Sequence, residues 1–228
     1  VSGEEMREKL GVTRAAVSQA VRALRAAGYD IDAVTNRGYC LRARPDTLTA
    51  GDVLPYLPQA RRALVQCFAQ IDSTNSYLKA EAMCGAPDGL CAIADRQTAG
   101  RGSRGRQWSA SPEASLTFSL LWQFDGGLAQ LSGLSLGVGL AVVRALSACG
   151  VAGVTLKWPN DILLDNAKLG GILVETAGTG QPGTGRYAVI GIGVNVFNDV
   201  AGIAGMVQDP PARLSDLLPD CPSVHGVM

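Results

Sequence analysis

A chain of 228 residues, 47% hydrophobic and 18% charged with no net charge, has the make-up of a globular protein whose core fills one large domain, or a small one and a medium one. No apolar run reaches the roughly 18 residues of a membrane span, and no basic stretch followed by an apolar one marks a secretory signal. Six cysteines without a CxxC pair, and a single His225 without ligand spacing around it, argue against a zinc site. They fit a reducing cytoplasm, with most of the thiols expected to be small buried hydrophobes.

The charge is unevenly shared. Residues 1–45 carry eight Arg or Lys against five Asp or Glu, a net of +3, and the remainder carries 12 against 15, a net of −3. A basic head on a mildly acidic body permits contact with phosphate. Val1 stands directly before a helix cap, so residues are expected to precede it. Ser2-Gly3-Glu4-Glu5 reads as a capping box, and Met6 and Leu10 at i and i+4 predict a short amphipathic helix ending at Gly11. Thr13 is placed to cap a second helix that runs through Leu24 to Gly28. Val17, Ala20, Val21 and Leu24 form its apolar stripe, and Arg14, Ser18, Arg22 and Arg25 a polar, basic one. Helix, glycine turn, helix is the shape of a DNA-reading helix-turn-helix, whose second helix enters the major groove. On that reading Thr13, Arg14, Ser18, Gln19 and Arg22 face DNA. Alternation over 29–34, a turn-like Thr35-Asn36-Arg37-Gly38 and an extended Tyr39-Cys40-Leu41 predict a hairpin wing with Arg37 at its tip. The bland alternative is a helical pair with a solvated basic face. A polar connector broken by Pro55 and Pro58 is expected over 45–63.

The rest reads as mixed α+β. Strands are predicted over 64–71, 90–95, 115–124, 154–157, 162–165, 169–176 and 187–195, and helices near 75–84 and 128–149. The second helix is so apolar over Gly133–Leu146 that burial on most sides is expected. Residues 177–186, rich in Gly and Thr, predict a loose hairpin loop. Gly100, Gly102 and Gly105 satisfy GxGxxG, but a dinucleotide fingerprint needs a helix after it. Here Trp108-Ser109-Ala110-Ser111-Pro112 turns into the strand at 115 instead. Three glycines interleaved with Arg101, Arg104 and Arg106 suit a loop in which backbone approaches a ligand and forked donors meet phosphate or carboxylate. A solvated basic loop is the alternative. Lys157-Trp158-Pro159-Asn160-Asp161 puts a base, an aromatic and a carboxylate at one bend. Lys168-Leu169-Gly170-Gly171 opens the next strand with a cation and a glycine pair, and Asp72-Ser73-Thr74-Asn75 sets hydroxyls and an amide at a helix start, where free amides also accept anions.

In order and in approximate spacing these four segments resemble those of the biotin–protein ligases. The basic head resembles that of the bacterial members that double as biotin operon repressors. The resemblance spans residues 2–197, and its combination of GRGxRGRxW, KWPND and KLGGILVE is far more specific than any one motif. It implies an α+β chain: a winged helix-turn-helix over 1–44, the connector, and over 64–228 a mixed-sheet ligase catalytic domain resembling class II synthetases. The family's C-terminal β-barrel is absent from this chain, which is therefore expected to be truncated at that end. The implied substrates are biotin and ATP with Mg2+. The implied partners are the biotin carboxyl carrier protein of acetyl-CoA carboxylase, biotin operon DNA and a second copy of the chain in a ligand-promoted dimer, with no membrane, in the cytoplasm. By the resemblance, Ser73, Thr74, Asn75, Gln97, Gly102, Ser103 and Gly171 belong with biotin. Arg101 and Lys168 would be catalytic cations beside its carboxylate. Arg104, Arg106, Trp108, Lys157, Asn160 and Asp161 belong with the nucleotide, Asp161 also with magnesium. Ser103 departs from the family's usual arginine, with Arg104 next to it as a substitute. The alternatives are a biotin-responsive DNA-binding regulator with weak or no ligase activity, and a ligase for a related acyl group such as lipoate.

Overall fold

The computed structural model describes residues 3–26, 30–34, 38–43, 48–62, 64–108, 115–124, 128–131, 133–177, 186–196 and 212–214, and the chain divides into two units, 1–46 and 47–228. In the first, α1 (Gly3–Leu10) and α2 (Arg14–Ala26) precede an antiparallel hairpin of β1 (Asp30–Val34) and β2 (Gly38–Ala43). Thr13 caps α2 as expected, its hydroxyl accepting from Ala16 N at 3.2 Å. Val17 and Val21, four residues apart and so on one face of the helix, bury against Ile31, with Met6 and Tyr39 packed alongside. The other half of the expected apolar stripe, Ala20 and Leu24, is exposed. Arg25 leaves the basic stripe: its guanidinium donates to the Ile31 carbonyl and pins the helix end to the hairpin. The expected capping serine Ser2 and the wing-tip Arg37 lie outside the described residues.

The second unit is built on a seven-stranded mixed sheet. Its strands are β3 (Val65–Phe68), β4 (Cys91–Ala94), β5 (Ser115–Phe124), β6 (Val154–Lys157), β7 (Asp161–Leu164), β8 (Ala167–Ala177) and β9 (Arg186–Asn195). The order across it is β3-β4-β5-β9-β8-β7-β6, parallel between β3 and β4 and antiparallel elsewhere. Alternation sorts each strand between two cores. Leu121 and Val189 pair across β5 and β9 and bury with Leu78 and Ala82 of α5 (Thr74–Met83). Their neighbours on the opposite face, Ile190 and Leu116, bury with Leu146 of α6 (Leu134–Ala148). The segment expected to connect the units folds into two short helices, α3 (Ala50–Val53) and α4 (Gln59–Arg62), and sends Leu48 and Val53 into this second core.

Three expectations give way here. The helix expected from 128 begins at 134, because Gly133 caps it with φ of 84° after a separate 3-10 turn at Leu128–Leu131. It is also not covered on most sides: Leu136 and Leu140 stand 40% and 46% exposed. Of the thiols described, Cys40, Cys84 and Cys149 are exposed and only Cys67 and Cys91 are half-buried. Burial pushes Cys91 up to about 12, with Cys67 nearby adding to the shift, so this thiol stays protonated and inert. Among the described residues no helix is long and apolar enough to cross a membrane.

Candidate functional site

One face of the sheet changes character along its strands. Under α5 it is apolar at Leu121 and Val189. Two residues further along, the facing pair is Ser119 and Gly191, then Thr117 and Gly193, then Ser115 and Asn195. With Gly171 opposite Gly193 on the next strand, three positions carry no side chain. The hollow left there is a cleft of about 530 Å³ lined by residues 73–75, 97–103, 106–108, 160, 161, 168 and 171 among others. It therefore gathers all the expected site residues of this unit except Arg104 and Lys157. Those two line an adjoining depression of about 320 Å³ with Trp158, and Ser103, Arg106, Asn160, Asp161 and Lys168 line both.

The wall at the start of α5 is polar and dry. Ser73, Thr74, Asn75 and Ser119 are each at most 3% exposed. Ser73 caps the helix by accepting from Ser76 N, and Gln97 Oε1 accepts from Thr74 N at 2.8 Å. The Ser119 hydroxyl lies 2.7 Å from Thr74 Oγ1 and donates to Asn75 Oδ1 at 2.6 Å. Asn75 Nδ2 in turn donates to Glu175 Oε2 at 3.0 Å. Buried groups so fully partnered hold fixed donor and acceptor directions, which suits recognition of a polar ring rather than a charge.

The glycine–arginine segment is a tight hairpin. Trp108 N donates to Gly100 O at 2.9 Å, Gly102 N to Arg106 O at 2.8 Å, and Arg101 bridges Gln107. At the tip Arg104 and Gly105 take φ of 59° and 74°, a conformation that costs a non-glycine residue about 1–2 kcal/mol. Among the described residues the next element after the hairpin is β5, not the α-helix that a dinucleotide fingerprint needs. Arg106 turns onto Ser103, donating through Nη2 to Oγ at 2.9 Å and through Nε to its carbonyl at 3.2 Å. The guanidinium that hydrogen-bonds Ser103 is that of Arg106. The Trp108 ring lies over Gly193, where an added Cβ would sit 2.6 Å from it, and its Nε1 is buried with no hydrogen-bond partner.

Each of the two expected catalytic cations already has a carboxylate partner. Lys168 Nζ donates to Asp161 Oδ1 at 2.5 Å, both side chains under 20% exposed. Arg101 Nη2 meets Glu175 Oε1 at 2.9 Å, so its guanidinium is tied to the Asn75 end of β8 while Lys168 stands near the other end. Asn160 is pinned to β8, its amide donating to Ile172 O and its own carbonyl accepting from Ile172 N, both at 2.9 Å. Among the described residues Asp161 is not part of any group of three or more acidic, His or Cys side chains that could hold a metal ion.

Sequence reasoning missed Ser119, Thr117, Gly191, Gly193 and Glu175. The two glycines and Asn195 recur every second residue along Gly-Ile-Gly-Val-Asn, the mark of one hollow strand face. Glu175 is a lone charge in the run Leu169–Thr176. In the first unit Thr13, Arg14, Gln19 and Arg22 are exposed and Ser18 is half-buried, leaving the two arginines prominent on the expected groove face.

Residues 67–195, more than half of the chain, match the model of the "Biotin/lipoate A/B protein ligase family", and residues 1–40 match an "HTH domain". The bifunctional ligase/repressor BirA of Escherichia coli (strain K12) is 39% identical over 195 residues, covering 86% of this chain and 59% of that protein. The protein of the same name from Bacillus spizizenii is 33% identical over 218 residues, 94% of this chain and 66% of its own length. The chain thus spans about three fifths to two thirds of these curated relatives. Among solved structures, the biotin protein ligase from Aquifex aeolicus in complex with biotin and ATP superposes with a TM-score of 0.53 at 33% identity, covering 67% of this chain and 60% of that one.

Proposed function

The chain belongs to the biotin/lipoate A/B protein ligase family, and from that premise we propose that it activates biotin with ATP and passes it to a lysine of a carrier protein. In the first step a biotin carboxylate oxygen attacks the α-phosphorus of ATP and pyrophosphate leaves, giving biotinyl-5′-AMP. In the second a lysine amine attacks the acyl carbon and AMP leaves. Both steps crowd negative charge at one point, so fixed cations make the main catalytic contribution, and no side-chain nucleophile is needed.

The observation that carries the reading is the composition of the cleft from strand to strand. Buried hydroxyls and an amide on α5 and β5 suit the ring of biotin, the bare Gly171 on β8, where an added Cβ would meet nothing nearer than 3.8 Å, admits its chain, and Lys168 with Asp161 lies beyond. From β5 to β7 is three strand spacings, roughly 14 Å at about 4.8 Å each, room for an extended acyl adenylate. Ser73, Thr74, Asn75, Gln97 and Gly171 hold biotin, Arg101, Gly102 and Ser103 close over it from the hairpin, and Lys168 neutralises charge at the reacting phosphate. The cationic depression with Arg104, Arg106 and Lys157 takes the remaining phosphates, and Trp108 lies along the nucleotide. ATP enters as its magnesium complex, and Asp161 acts as the partner that positions Lys168. The same reading names the biotin carboxyl carrier protein and biotin operon DNA as partners, with ligand-promoted dimerisation, in the cytoplasm.

Incubation with biotin, ATP and Mg2+ should yield biotinyl-AMP and pyrophosphate, detected by mass spectrometry. Adenylation of lipoate in its place, or tight biotin binding without turnover, would move the function to one of the two alternatives. Two further outcomes are expected. A methyl added at Gly191 would sit 2.3 Å from Asn75 Oδ1, which Ser119 and Glu175 hold in place, so Gly191→Ala should weaken biotin binding by about 10-fold or more in isothermal titration. Ser103→Arg restores a second charged donor at the hairpin tip, and should slow release of biotinyl-AMP by about ten-fold or more. Stopped-flow tryptophan fluorescence measures that rate, and an unchanged value removes Ser103 from the phosphate's surroundings.

A further inference from the structure

Glu175 lies in β8 with its side chain 16% exposed, and it does not line the cleft. Three donors converge on its carboxylate. Arg101 Nη2 comes from the glycine–arginine hairpin at 2.9 Å, Lys79 Nζ from the middle of α5 at 3.3 Å, and Asn75 Nδ2 from the start of α5 at 3.0 Å. We infer that Glu175 is a positioning residue that docks the hairpin onto the sheet through Arg101 and, with its other oxygen, fixes which end of the Asn75 amide faces the cleft.

Arginine offers five N–H donors in a rigid fork, so one amino group engaged with Glu175 leaves donors over for a ligand. The hairpin's backbone ties to the rest of the unit are at its base, where Thr98 N and Ala99 N donate to Ile71 O and Asp72 O at 2.9 Å, so among the described residues the Arg101–Glu175 pair is the charged attachment beyond Gly100, beside the packing of Trp108 over Gly193. An amide has two chemically different ends, and Asn75 can present its oxygen to Ser119 only while its nitrogen has an acceptor behind it. Glu175 supplies the nearer acceptor, at 3.0 Å against 3.5 Å for the Leu173 carbonyl, and the two roles are coupled because one carboxylate performs both.

Trypsin tests the docking directly, since the hairpin carries its own cleavage sites at Arg104 and Arg106. When opening is fast relative to cleavage, the cutting rate follows the population of the open form. In the ligand-free full chain, Glu175→Gln and Arg101→Ala should each speed cleavage at these two sites by about tenfold, the scale of one charge-assisted contact. The double variant should be no faster than the faster single one, because both remove the same contact. Cleavage at sites outside the hairpin, and the melting temperature, serve as controls. Glu175→Asp, which keeps the charge but retracts it by one methylene, should behave like the glutamine variant and replaces it if that variant fails to fold. Unchanged cleavage at Arg104 and Arg106, or additive effects in the double variant, overturns the inference.

A second arm rests on the proposed function. Glu175→Gln should raise the biotin dissociation rate about tenfold and leave association within about twofold, since the docked hairpin holds bound ligand in place. Equal loss from both rates would mean a general structural role and would sink the positioning reading. Failure of the unaltered chain to bind biotin would refute the function above, and the trypsin result would still decide the docking.

Discussion

Replacing Lys168 by alanine or glutamine is expected to slow biotinyl-AMP formation by about 100-fold or more, the scale for losing one positioned electrostatic group. Lys168 starts β8 behind a register shift opposite Ile162 and Leu163, with its ammonium on Asp161. The two substitutions separate charge from packing. Alanine leaves the Asp161 carboxylate, itself only 14% exposed, without its partner, and some stability should be lost with it. Glutamine, one atom shorter, keeps a neutral N–H donor for Asp161 but no charge, so its melting temperature should fall less than that of the alanine variant while adenylation still collapses. Single-turnover assays with biotin and labelled ATP give the rate, and biotin binding without ATP should change far less. A glutamine variant that adenylates at the normal rate would remove Lys168 from the chemistry and leave it as a partner of Asp161.

The second large effect lies in the other unit. Arg14→Ala combined with Arg22→Ala should weaken binding to DNA from upstream of the host's biotin-synthesis genes by about 30-fold or more, since each lost base or phosphate contact costs about 1–3 kcal/mol. Both arginines are exposed on α2, eight residues and so about two turns apart on one face. The salt dependence decides what they touch: loss of two phosphate contacts lowers the slope of affinity against salt by about two, whereas a lost base contact relaxes sequence preference instead. Adenylation should be untouched, because these residues belong to the separate compact unit. Unchanged affinity in a gel-shift titration at fixed salt would return α2 to the reading of a solvated basic face.

Much of this protein is legible in its sequence because the signals concerned are local. Strand alternation is a property of neighbouring residues, so β5 and β6 fall where the pattern puts them, and β3, β4, β7, β8 and β9 shift only at their ends. The glycine–arginine, Lys157–Asp161 and Lys168–Gly171 motifs are contiguous, so each can be read whole, and the family matches agree with what they imply. Thr13 is identifiable as a cap because a cap bonds within three residues. Where a local signal is ambiguous the expectation fails: an apolar run across Gly133 looks like one helix, and only the glycine's positive φ divides it.

What tertiary structure alone decided is which faces meet and which charges pair. Alternation says that Gly191 and Gly193 share a face with Val189, but not that Asn75 and the Trp108 ring, from segments distant in the chain, pack on those two glycines. The partners of Glu175 stand 74, 96 and 100 residues away in sequence, at Arg101, Lys79 and Asn75. Likewise Arg25 reads as one of a stripe of basic residues in one dimension, yet it is turned onto the Ile31 carbonyl of its own chain. A side chain's charge and reach are written in its residue type. The direction in which it points its donors depends on the acceptors that folding brings within about 3 Å, and in this sheet those acceptors arrive from strands that are distant in the chain and adjacent only in the order β5-β9-β8-β7.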